Sequence, residues 1–413
     1  MKLICADLDG TVPAVPRRSV GAQWVLVRLH GTPLGFVTPP ETGCAAQALR
    51  ELALRELAVP IARHLAADSI GSRDTRSNPL ASLTAPCPRR SASPAAVVTV
   101  AVCTRDRAGY LAGCLDALMS LDYPRERLDL LVVDNAPADA ATRDLVARYP
   151  RVRYICEPRP GLDWARNRAV REARGDIIAF TDDDVSVDAR WVNAIAAAFA
   201  EEPHAMCVTG LVVPDEIDTP AQALFEAYGG FGRGFDRSVH RIAPGESAAR
   251  KYGGTGRFGT GANMAFRRAF FHREGGFDPA LDVGTPASGG GDLEMFFRVL
   301  KTGHALVYEP AAMVRHRHRR DYASLRTQLT NNGIGFYSYL VRTLHVYPAE
   351  RLGVLRLGVW WWWRWNVWRV LQSLVRPRTF PVDLAVAELK GSVLGLRRYA
   401  EARRQAARTG AIR

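Results

Sequence analysis

The sequence predicts an α/β protein whose doubly wound, mostly parallel sheet carries helices on both faces. Between residues 96 and 213, five apolar, β-branched runs alternate with segments whose apolar residues recur at helical spacing. Such alternation produces right-handed βαβ units, which place helices on both sides of one sheet. Polar side chains also follow three of the five runs, at the sheet edge where ligands of such proteins bind.

The first of the five runs is continuously β-branched or apolar, as expected for a buried strand. The runs are AVVTVAVCT, LDLLVVDNA, VRYICE, GDIIAFTDDDV and AMCVTGLVV. The leucines of YLAGCLDALMSL and the apolar residues of GLDWARNRAV predict helices between them. Further along, GANMAFRRAFF predicts a strand that leads into a helix, DLEMFFRVLKTG a helix that ends at Gly303, and ALVYEP a strand.

At about 100–200 residues per domain, 413 residues suggest two or three domains or one domain with additions. WVLVRLHGTPLGFV predicts a hairpin, and the segment after it predicts a helix. We therefore expect five parts, in chain order. They are a hairpin and helix module (1–67), a linker rich in Ser, Arg and Pro (68–95), the main α/β domain (96–320), a helical, Trp-rich region (321–396) and a basic tail (397–413).

The net charge is +13, from 55 Lys and Arg against 42 Asp and Glu. This excess favours polyanionic partners, but no helix-turn-helix, zinc-finger or RNA-recognition signature is visible, so nucleic acid is not expected. Seven cysteines without a CxxC pair favour a reducing compartment. The first residues do not resemble a signal peptide, and no uncharged apolar run is long enough to span a membrane. A cytoplasmic protein is expected.

The acidic run Asp182-Asp183-Asp184 directly follows the fourth predicted strand. Side chains two apart in an extended segment point the same way, so Asp182 and Asp184 could share one divalent cation, with Asp183 on the other face. Mg²⁺ and Mn²⁺ take oxygen ligands and commonly complete their shell with substrate phosphates. A solvated turn at the strand end is the alternative interpretation.

Asp292 follows the glycine-rich stretch Ser288–Gly291, where backbone can come close to a ligand. A carboxylate at the mouth of a site can take the proton of an attacking hydroxyl. The residue could equally be an ordinary helix N-cap, and both roles are compatible.

Two further motifs offer ligands for anions or metals. The segment PRPGLDWARNRAV contributes Arg159, Gly161, Arg166 and Asn167. Arginines near a helix start can bind diphosphate through forked hydrogen bonds, unless this helix merely faces solvent. His316 and His318 alternate in VRHRHRR, so one could ligate a metal or a diphosphate, unless the run is simply a basic surface.

Taken together in order and spacing, these motifs resemble family 2 glycosyltransferases, which have the GT-A fold. The resemblance covers residues 96–320 and is carried by VAVCTRDRAGYLAGCLDAL, LLVVDNA, GLDWARNRAV, GDIIAFTDDDV, TGANMAFRR, GGFDPAL and GGGDLEMFFRVLKTGHALVYEPAAMVRH. It implies a hexosyltransferase that moves a sugar from a UDP-, GDP- or dTDP-sugar to an acceptor hydroxyl with inversion at the anomeric carbon. The implied cofactor is Mn²⁺ or Mg²⁺, and the implied acceptor is a carbohydrate, a lipid-linked molecule or a small molecule of cell-envelope biosynthesis.

By position, the resemblance implies that Thr104 and Arg105 frame the nucleotide and that Asp134 contacts its base. Asp182 and Asp184 match the DxD pair that holds the cation between the donor phosphates. The implied donor contacts also include Asp183 and the four residues of the PRPGLDWARNRAV segment named above.

At the other end of the site, Asp292 matches the base of the family's ED motif and Glu294 its second acid. Where the family often has Glu before the base, this chain has Gly291, which weakens any inference about the acceptor. His316 matches a further metal or phosphate contact. Four loop residues are expected near donor and acceptor: Gly261, Asn263, Gly290 and Gly291.

Three alternatives stay open at this point. LICADLDGT matches the first motif of haloacid-dehalogenase-like phosphatases, with Asp7 as nucleophile and Asp9 as acid, although the later motifs have no counterpart and VPAVPRR would break the next helix. The second alternative is a scaffold protein that binds a nucleotide sugar without turnover. Third, WWWWRWNVW at 360–368 could touch the inner face of the plasma membrane, although arginines spread around the helix favour packing on the enzyme core.

Overall fold

The computed structural model describes most of the chain. The described residues are 3–17, 23–67, 83–84, 96–243, 245–375 and 380–411. Apart from residues 83 and 84, the predicted linker 68–95 lies outside the described residues, as do the last two residues of the predicted basic tail.

The N-terminal module is a small three-stranded sheet with two helices. Its elements are β1 (Ile4–Asp7), β2 (Val25–Leu29), β3 (Thr32–Val37), α1 (Ala46–Glu56) and α2 (Ala58–Ala67). The hairpin between β2 and β3 is confirmed, and it turns at His30 and Gly31, which both have positive φ. β1 adds parallel to β2, and a second helix follows the predicted one.

The central sheet has nine strands. They are β4 (Val98–Thr104), β5 (Leu128–Asn135), β6 (Val152–Glu157), β7 (Ile177–Asp182), β8 (Val185–Val187), β9 (Ala205–Pro214), β10 (Ser238–His240), β11 (Asn263–Arg267) and β12 (Ala305–His316). Their order is β10-β12-β9-β11-β7-β4-β5-β6, and β8 pairs with β12. All five strands predicted before residue 214 are confirmed.

Helices cover both faces of this sheet, as the alternating pattern predicts. They are α3 (Ala108–Met119), α4 (Ala141–Val146), α5 (Leu162–Glu172), α6 (Trp191–Glu201), α7 (Pro220–Tyr228), α8 (Ala248–Tyr252), α9 (Arg268–Glu274) and α10 (Gly291–Lys301). Successive residues of β4 enter opposite cores: Val100 packs with α3 and α6, whereas Ala101 packs with α5 and α10. The sheet is therefore doubly wound.

Strand β11 runs antiparallel to both neighbours, β7 and β9, which the apolar pattern did not reveal. Because its first residue, Asn263, is paired with Thr181, the loop before β11 lies at the carboxyl end of β7. Strand β12 is longer than predicted, and its last residue, His316, is paired with Val185 of β8. Both registers bring distant segments to the acidic run.

The C-terminal region is helical, as predicted. It consists of α11 (Tyr322–Val346), α12 (Arg351–Trp361), a π-helical segment (Trp362–Val367), α13 (Trp368–Val375) and α14 (Val382–Gly410). Helices α11 and α14 approach closely at glycines: a Cβ at Gly391 would lie 2.0 Å from the carbonyl oxygen of Thr330. This packing holds α11 over the carboxyl edge of the sheet.

Candidate active site

Within the described residues, one group of His, Cys, Asp or Glu side chains is arranged to hold a metal ion. It consists of Asp182, Asp184 and His316. One ligand atom from each lies within 4.8 Å of the others. The β7–β8 turn supplies the two carboxylates on one side, and the end of β12 supplies the imidazole, whose Nε2 lies 3.5 Å from Asp184 Oδ1. Two carboxylates and one imidazole, with room left for phosphate oxygens, suit Mn²⁺ or Mg²⁺.

The middle acid, Asp183, points away from that group and fastens the strand ends together. Its Oδ2 accepts a 2.7 Å hydrogen bond from Thr104 Oγ1 at the end of β4. Arg107 lies 2.6 Å from Asp183 and 2.8 Å from Asp184 through its two terminal nitrogens. Arg107 thus neutralises part of the acidic charge, a role that the sequence analysis missed.

Burial perturbs the protonation of this cluster. It raises the pKa of Asp182 to about 7 and that of Asp183 to about 6, and it lowers the pKa of His316 to about 4. Burial acts on Asp184 in the same upward direction, but His316 and Arg107 outweigh it and hold the pKa of Asp184 below its usual value. Adjacent buried carboxylates of this kind are relieved by a bound cation.

A cavity of about 810 Å³, here called the large cavity, opens at the acidic corner. Thr104, Arg105 and Gly161 line its sheet side. The polar face of α11 forms the opposite wall, through Thr327, Gln328, Asn331 and Asn332. Its volume is within the range of ligand pockets, about 300–1,000 Å³.

A second space of about 340 Å³, the small cavity, continues from the first, and Asp182 and His316 border both. Asp292 lies in its wall, with Oδ2 accepting a 2.8 Å hydrogen bond from the Gly261 amide. Gly290, Gly291 and Arg166 border the same space. The structure thus places the side chain of residue 292 beside the 182–184 corner, around one continuous opening.

Asp134 is not brought to the cavity, contrary to the expectation that it contacts a base. It is fully buried, accepts a 2.8 Å hydrogen bond from Tyr154 and has a pKa raised by burial. The next residue, Asn135, lines the large cavity and accepts a 2.7 Å hydrogen bond from the Gly161 amide. Neighbouring residues of a strand face opposite sides, so Asn135 and not Asp134 faces the large cavity.

Glu294 also lies outside both cavities, although its position predicted a catalytic acid. It is fully buried, and its carboxylate is paired with Arg298 and with Arg342, the latter at 2.5 Å. Residues two apart on a helix do not face the same direction, so Glu294 cannot share the cavity with Asp292. Its role here is to bind α10 to α11.

Three other residues that were predicted to contact donor or acceptor make hydrogen bonds within the protein instead. Arg159 makes forked hydrogen bonds of 2.6 and 2.9 Å to Glu157, and Asn167 exchanges two with the main chain of Phe277. Asn263 donates to main-chain carbonyls of β9 and of the β12 segment. His318 is likewise turned away, with Nε2 at 2.7 Å from Glu226.

Asp7, the nucleophile of the phosphatase alternative, is engaged by Arg28 through two hydrogen bonds of 2.7 and 2.8 Å. Arg28 also reaches Asp188, at 2.6 Å, and so ties the N-terminal sheet to the turn after β8. The amide of His30 donates to Asp9. These contacts explain the acidic motif as part of the attachment between the two sheets.

The sequence analysis missed several residues that border the cavities. They are Arg107, Asn135, Asp163, Arg319, Asn331 and Asn332. Polar residues clustered in the run QLTNNG within an otherwise apolar helix were the available signal for the α11 wall. No local pattern in the sequence indicated Asp163, because the residue beside it in the site, Gly291, is 128 positions away in the chain.

Residues 99–275 match the model of the family described as glycosyl transferase family 2. A glucosyl-dolichyl phosphate glucuronosyltransferase of Haloferax volcanii is 23% identical over 229 residues, which are 53% of this chain and 69% of that protein. A pre-mycofactocin glycosyltransferase of Mycobacterium tuberculosis is 26% identical over 223 residues, 54% of this chain and 43% of that protein.

Among solved structures, a mannosyltransferase from Pyrobaculum calidifontis in complex with GDP-Man and Mn²⁺ aligns with a TM-score of 0.47 and 18% identity, over 73% of this chain and 87% of that one. The match to the Mycobacterium relative covers less than half of that protein's length. The family match lies on the α/β part, which contains most of the mixed sheet described above. Residues 99–275 are a glycosyl transferase family 2 domain, and the two relatives described above are named as glycosyltransferases.

Proposed function

We propose that the protein transfers a sugar from a nucleotide-sugar donor to an acceptor hydroxyl with inversion, with Asp292 as general base and a divalent cation at the acidic corner. One observation carries this proposal: Asp182, His316 and Asp292 border one continuous opening, although they are far apart in the chain. A donor diphosphate at the corner and an attacking hydroxyl beside Asp292 then face each other across that opening.

Asp182, Asp184 and His316 would hold the cation, Mn²⁺ or Mg²⁺, and the chemistry of these ligands fits either ion. When bound, the ion neutralises the charge that develops on the leaving nucleoside diphosphate. Arg107 and Arg319 add positive charge at the same corner. The polar walls of the large cavity supply hydrogen bonds for the nucleoside.

Asp292 is positioned for proton removal by its own backbone surroundings. The amides of Gly261 and Leu293 donate to its two oxygens at 2.8 and 2.9 Å, which orients the carboxylate toward the small cavity. A hydroxyl bound there gives its proton to Asp292 while its oxygen attacks the anomeric carbon from the side opposite the diphosphate. This direct displacement inverts the configuration, and a general base typically contributes about 10²–10⁴ in rate.

The acceptor side has an apolar extension. A cavity of about 760 Å³, here called the aromatic cavity, shares Phe231, Asn332 and Phe336 with the small cavity and is lined by Trp361 and Trp365. Basic side chains stand around it: Arg250, Lys251, Arg257 and Arg356. This lining supports an amphipathic, lipid-linked acceptor, and the dolichyl phosphate in the name of the Haloferax relative is of that chemistry.

Helices α12 and α13, with the π-helical segment between them, present a second apolar surface, which meets the aromatic cavity at Trp360. Large apolar side chains there are 48–64% exposed: Leu352, Leu355, Val359, Trp360, Trp363, Trp368, Leu371 and Leu374. Residues 351–375 include four arginines and no acid. One face of the Trp-rich segment thus packs on the enzyme, as expected. The other face supports contact with an anionic bilayer surface, which would be the inner face of the plasma membrane.

Separately, no helix in the described ranges combines the length and the apolar character that crossing a bilayer requires.

The experiment that tests the transfer chemistry is Asp292→Asn. A panel of UDP-, GDP- and dTDP-sugars is first screened by thermal shift with and without Mn²⁺, since ligand binding to the native state raises Tm. With the best donor, nucleotide release by Asp292→Asn should fall by about 10²–10⁴ while donor affinity stays unchanged. Donor affinity lost in parallel with rate would contradict the base assignment. No nucleotide release by the unaltered enzyme with any donor would support the scaffold alternative.

Membrane contact is tested separately, with vesicles of phosphatidylglycerol and of phosphatidylcholine. The unaltered protein should co-sediment with the anionic vesicles, and the double variant Leu355→Ser/Trp363→Ser should stay in solution. The matched control, Val239→Ser, removes an exposed apolar side chain outside these helices. Equal sedimentation of all three proteins would contradict the proposed surface.

A further inference from the structure

Asp163, near the start of α5, presents a carboxylate to the small cavity. Its side chain is 1% exposed, and Oδ1 accepts a 3.1 Å hydrogen bond from Arg166. Among the described residues, Oδ2 finds no hydrogen-bond partner. Leaving a buried polar atom unpaired costs about 1–3 kcal/mol, so an orphan oxygen bordering a cavity points to a ligand that satisfies it.

The orphan oxygen lies beside the proposed base. A Cβ built on Gly291 would stand 2.3 Å from Asp163 Oδ2, so the carboxylate occupies the space that a side chain at 291 would need. Unlike Gly289 and Gly290, Gly291 does not have positive φ, so its backbone does not require glycine. The position lacks a side chain because Asp163 fills the space next to Asp292.

The carboxylate is held firmly from behind. The amide of Asp163 donates a 2.7 Å hydrogen bond to Asp282 Oδ2, and Arg166 is itself buried in the same wall. Burial and the neighbouring Asp282 and Asp292 raise the pKa of Asp163, which lessens repulsion between it and the base. A protonated carboxyl group keeps part of its capacity to accept hydrogen bonds and gains one O–H donor.

We propose that Asp163 binds a second hydroxyl of the acceptor, next to the one that Asp292 deprotonates. This inference rests on the proposed function. The attacking hydroxyl has one proton, and it goes to Asp292, so Asp163 must accept from a neighbouring O–H. The acceptor class that offers two adjacent O–H donors is a vicinal diol, as in a sugar ring, and not a simple alcohol or a phosphate.

The test uses water, glycerol and 1-propanol as probe acceptors with the donor found in the screen. Water and glycerol each offer at least two O–H donors, whereas 1-propanol offers one. Asp163→Ala should lower kcat for donor hydrolysis by on the order of 10–100-fold, because the nucleophile loses its orientation, while the donor KM stays within about twofold. The preference for glycerol over 1-propanol should fall by a similar factor.

A swap tests the shared space. Gly291→Asp alone should be slow, because two carboxylates meet in one volume, and Asp163→Ala/Gly291→Asp should recover at least about tenfold over either single variant. Glu172→Gln, on the same helix but paired with Arg168 away from the cavities, is the matched control and should behave like the unaltered enzyme. If Asp163→Ala does not fold, Asp163→Asn replaces it.

Three results would overturn the inference alone: unchanged hydrolysis and glycerol preference in Asp163→Ala, a donor KM that rises in step with the loss of rate, or no recovery in the swap. An unaltered enzyme that releases no nucleotide from any donor would overturn the proposed function instead, and this inference with it.

Discussion

Arg342 of α11 lies 2.5 Å from the carboxylate of Glu294 of α10, and neither side chain reaches a cavity. Glu294 is fully buried and is also paired with Arg298. The contact ties the first C-terminal helix, which forms one wall of the large cavity, to the helix that begins beside Asp292. Glu294, which the family motif predicts to be catalytic, therefore joins α10 to α11.

Glu294→Ala should lower the free energy of unfolding by about 3–5 kcal/mol, because it leaves the buried Arg298 without a carboxylate partner and Arg342 with Asp278 alone. Urea unfolding followed by tryptophan fluorescence measures this. The double variant Glu294→Met/Arg342→Met should regain part of the loss. A Glu294→Ala protein of unaltered stability with abolished turnover would restore the catalytic interpretation.

Asp184→Ala should remove the dependence of donor binding on Mn²⁺, since it takes away one ligand of the three-residue group. Calorimetric titration of a nucleoside diphosphate with and without Mn²⁺ measures the effect. The unaltered enzyme should bind at least about tenfold more tightly with the ion, because metal and phosphates share one coordination shell. The control is Asp176→Asn, just before the opposite end of β7, which should bind the diphosphate with the normal Mn²⁺ effect. An equally large Mn²⁺ effect in Asp184→Ala would show that the cation assignment is wrong.

Glu388 of α14 borders the aromatic cavity, and burial raises the pKa of its carboxyl from 4.5 to about 8. In the unfolded chain the group ionises at its ordinary pKa, whereas in the folded protein it holds its proton until about pH 8. The contribution of neutral Glu388 to the free energy of unfolding is therefore fully present below pH 4.5 and is lost as the pH rises through 8. The full loss is on the order of a few kcal/mol.

The matching experiment compares Tm at pH 6 and pH 9. The unaltered protein should be less stable at pH 9, and Glu388→Gln, which carries no charge at either pH, should lose a clear part of that difference. An identical pH dependence of Tm in both proteins would show that Glu388 does not titrate in this range.

Asp7→Asn should lower the free energy of unfolding by about 1–3 kcal/mol, because Arg28 loses one of its two carboxylate partners. Nucleotide release should be unchanged, since the contact holds the N-terminal sheet and not the cavities. Loss of a phosphate-monoester hydrolysis activity in this variant, measured with p-nitrophenyl phosphate, would instead support the phosphatase alternative.

The sequence by itself determined the layered fold and the approximate position of the chemistry. Buried strands of β-branched residues and amphipathic helices repeat with local periods, so β4, β5, β6, β7 and β9 could be assigned from nearby residues alone. The acidic run and Asp292 were equally visible, because each follows a recognisable local pattern.

Only the tertiary structure decided which side chains meet. The antiparallel pairing of β11 brings the Gly261 loop to the acidic corner, and strand alternation exchanges Asp134 for Asn135. Helix geometry turns Glu294 inward, and Asp163 fills the space left at Gly291. Register, facing direction and close packing depend on contacts between residues that are 26 to 128 positions apart, and a local pattern carries no record of them.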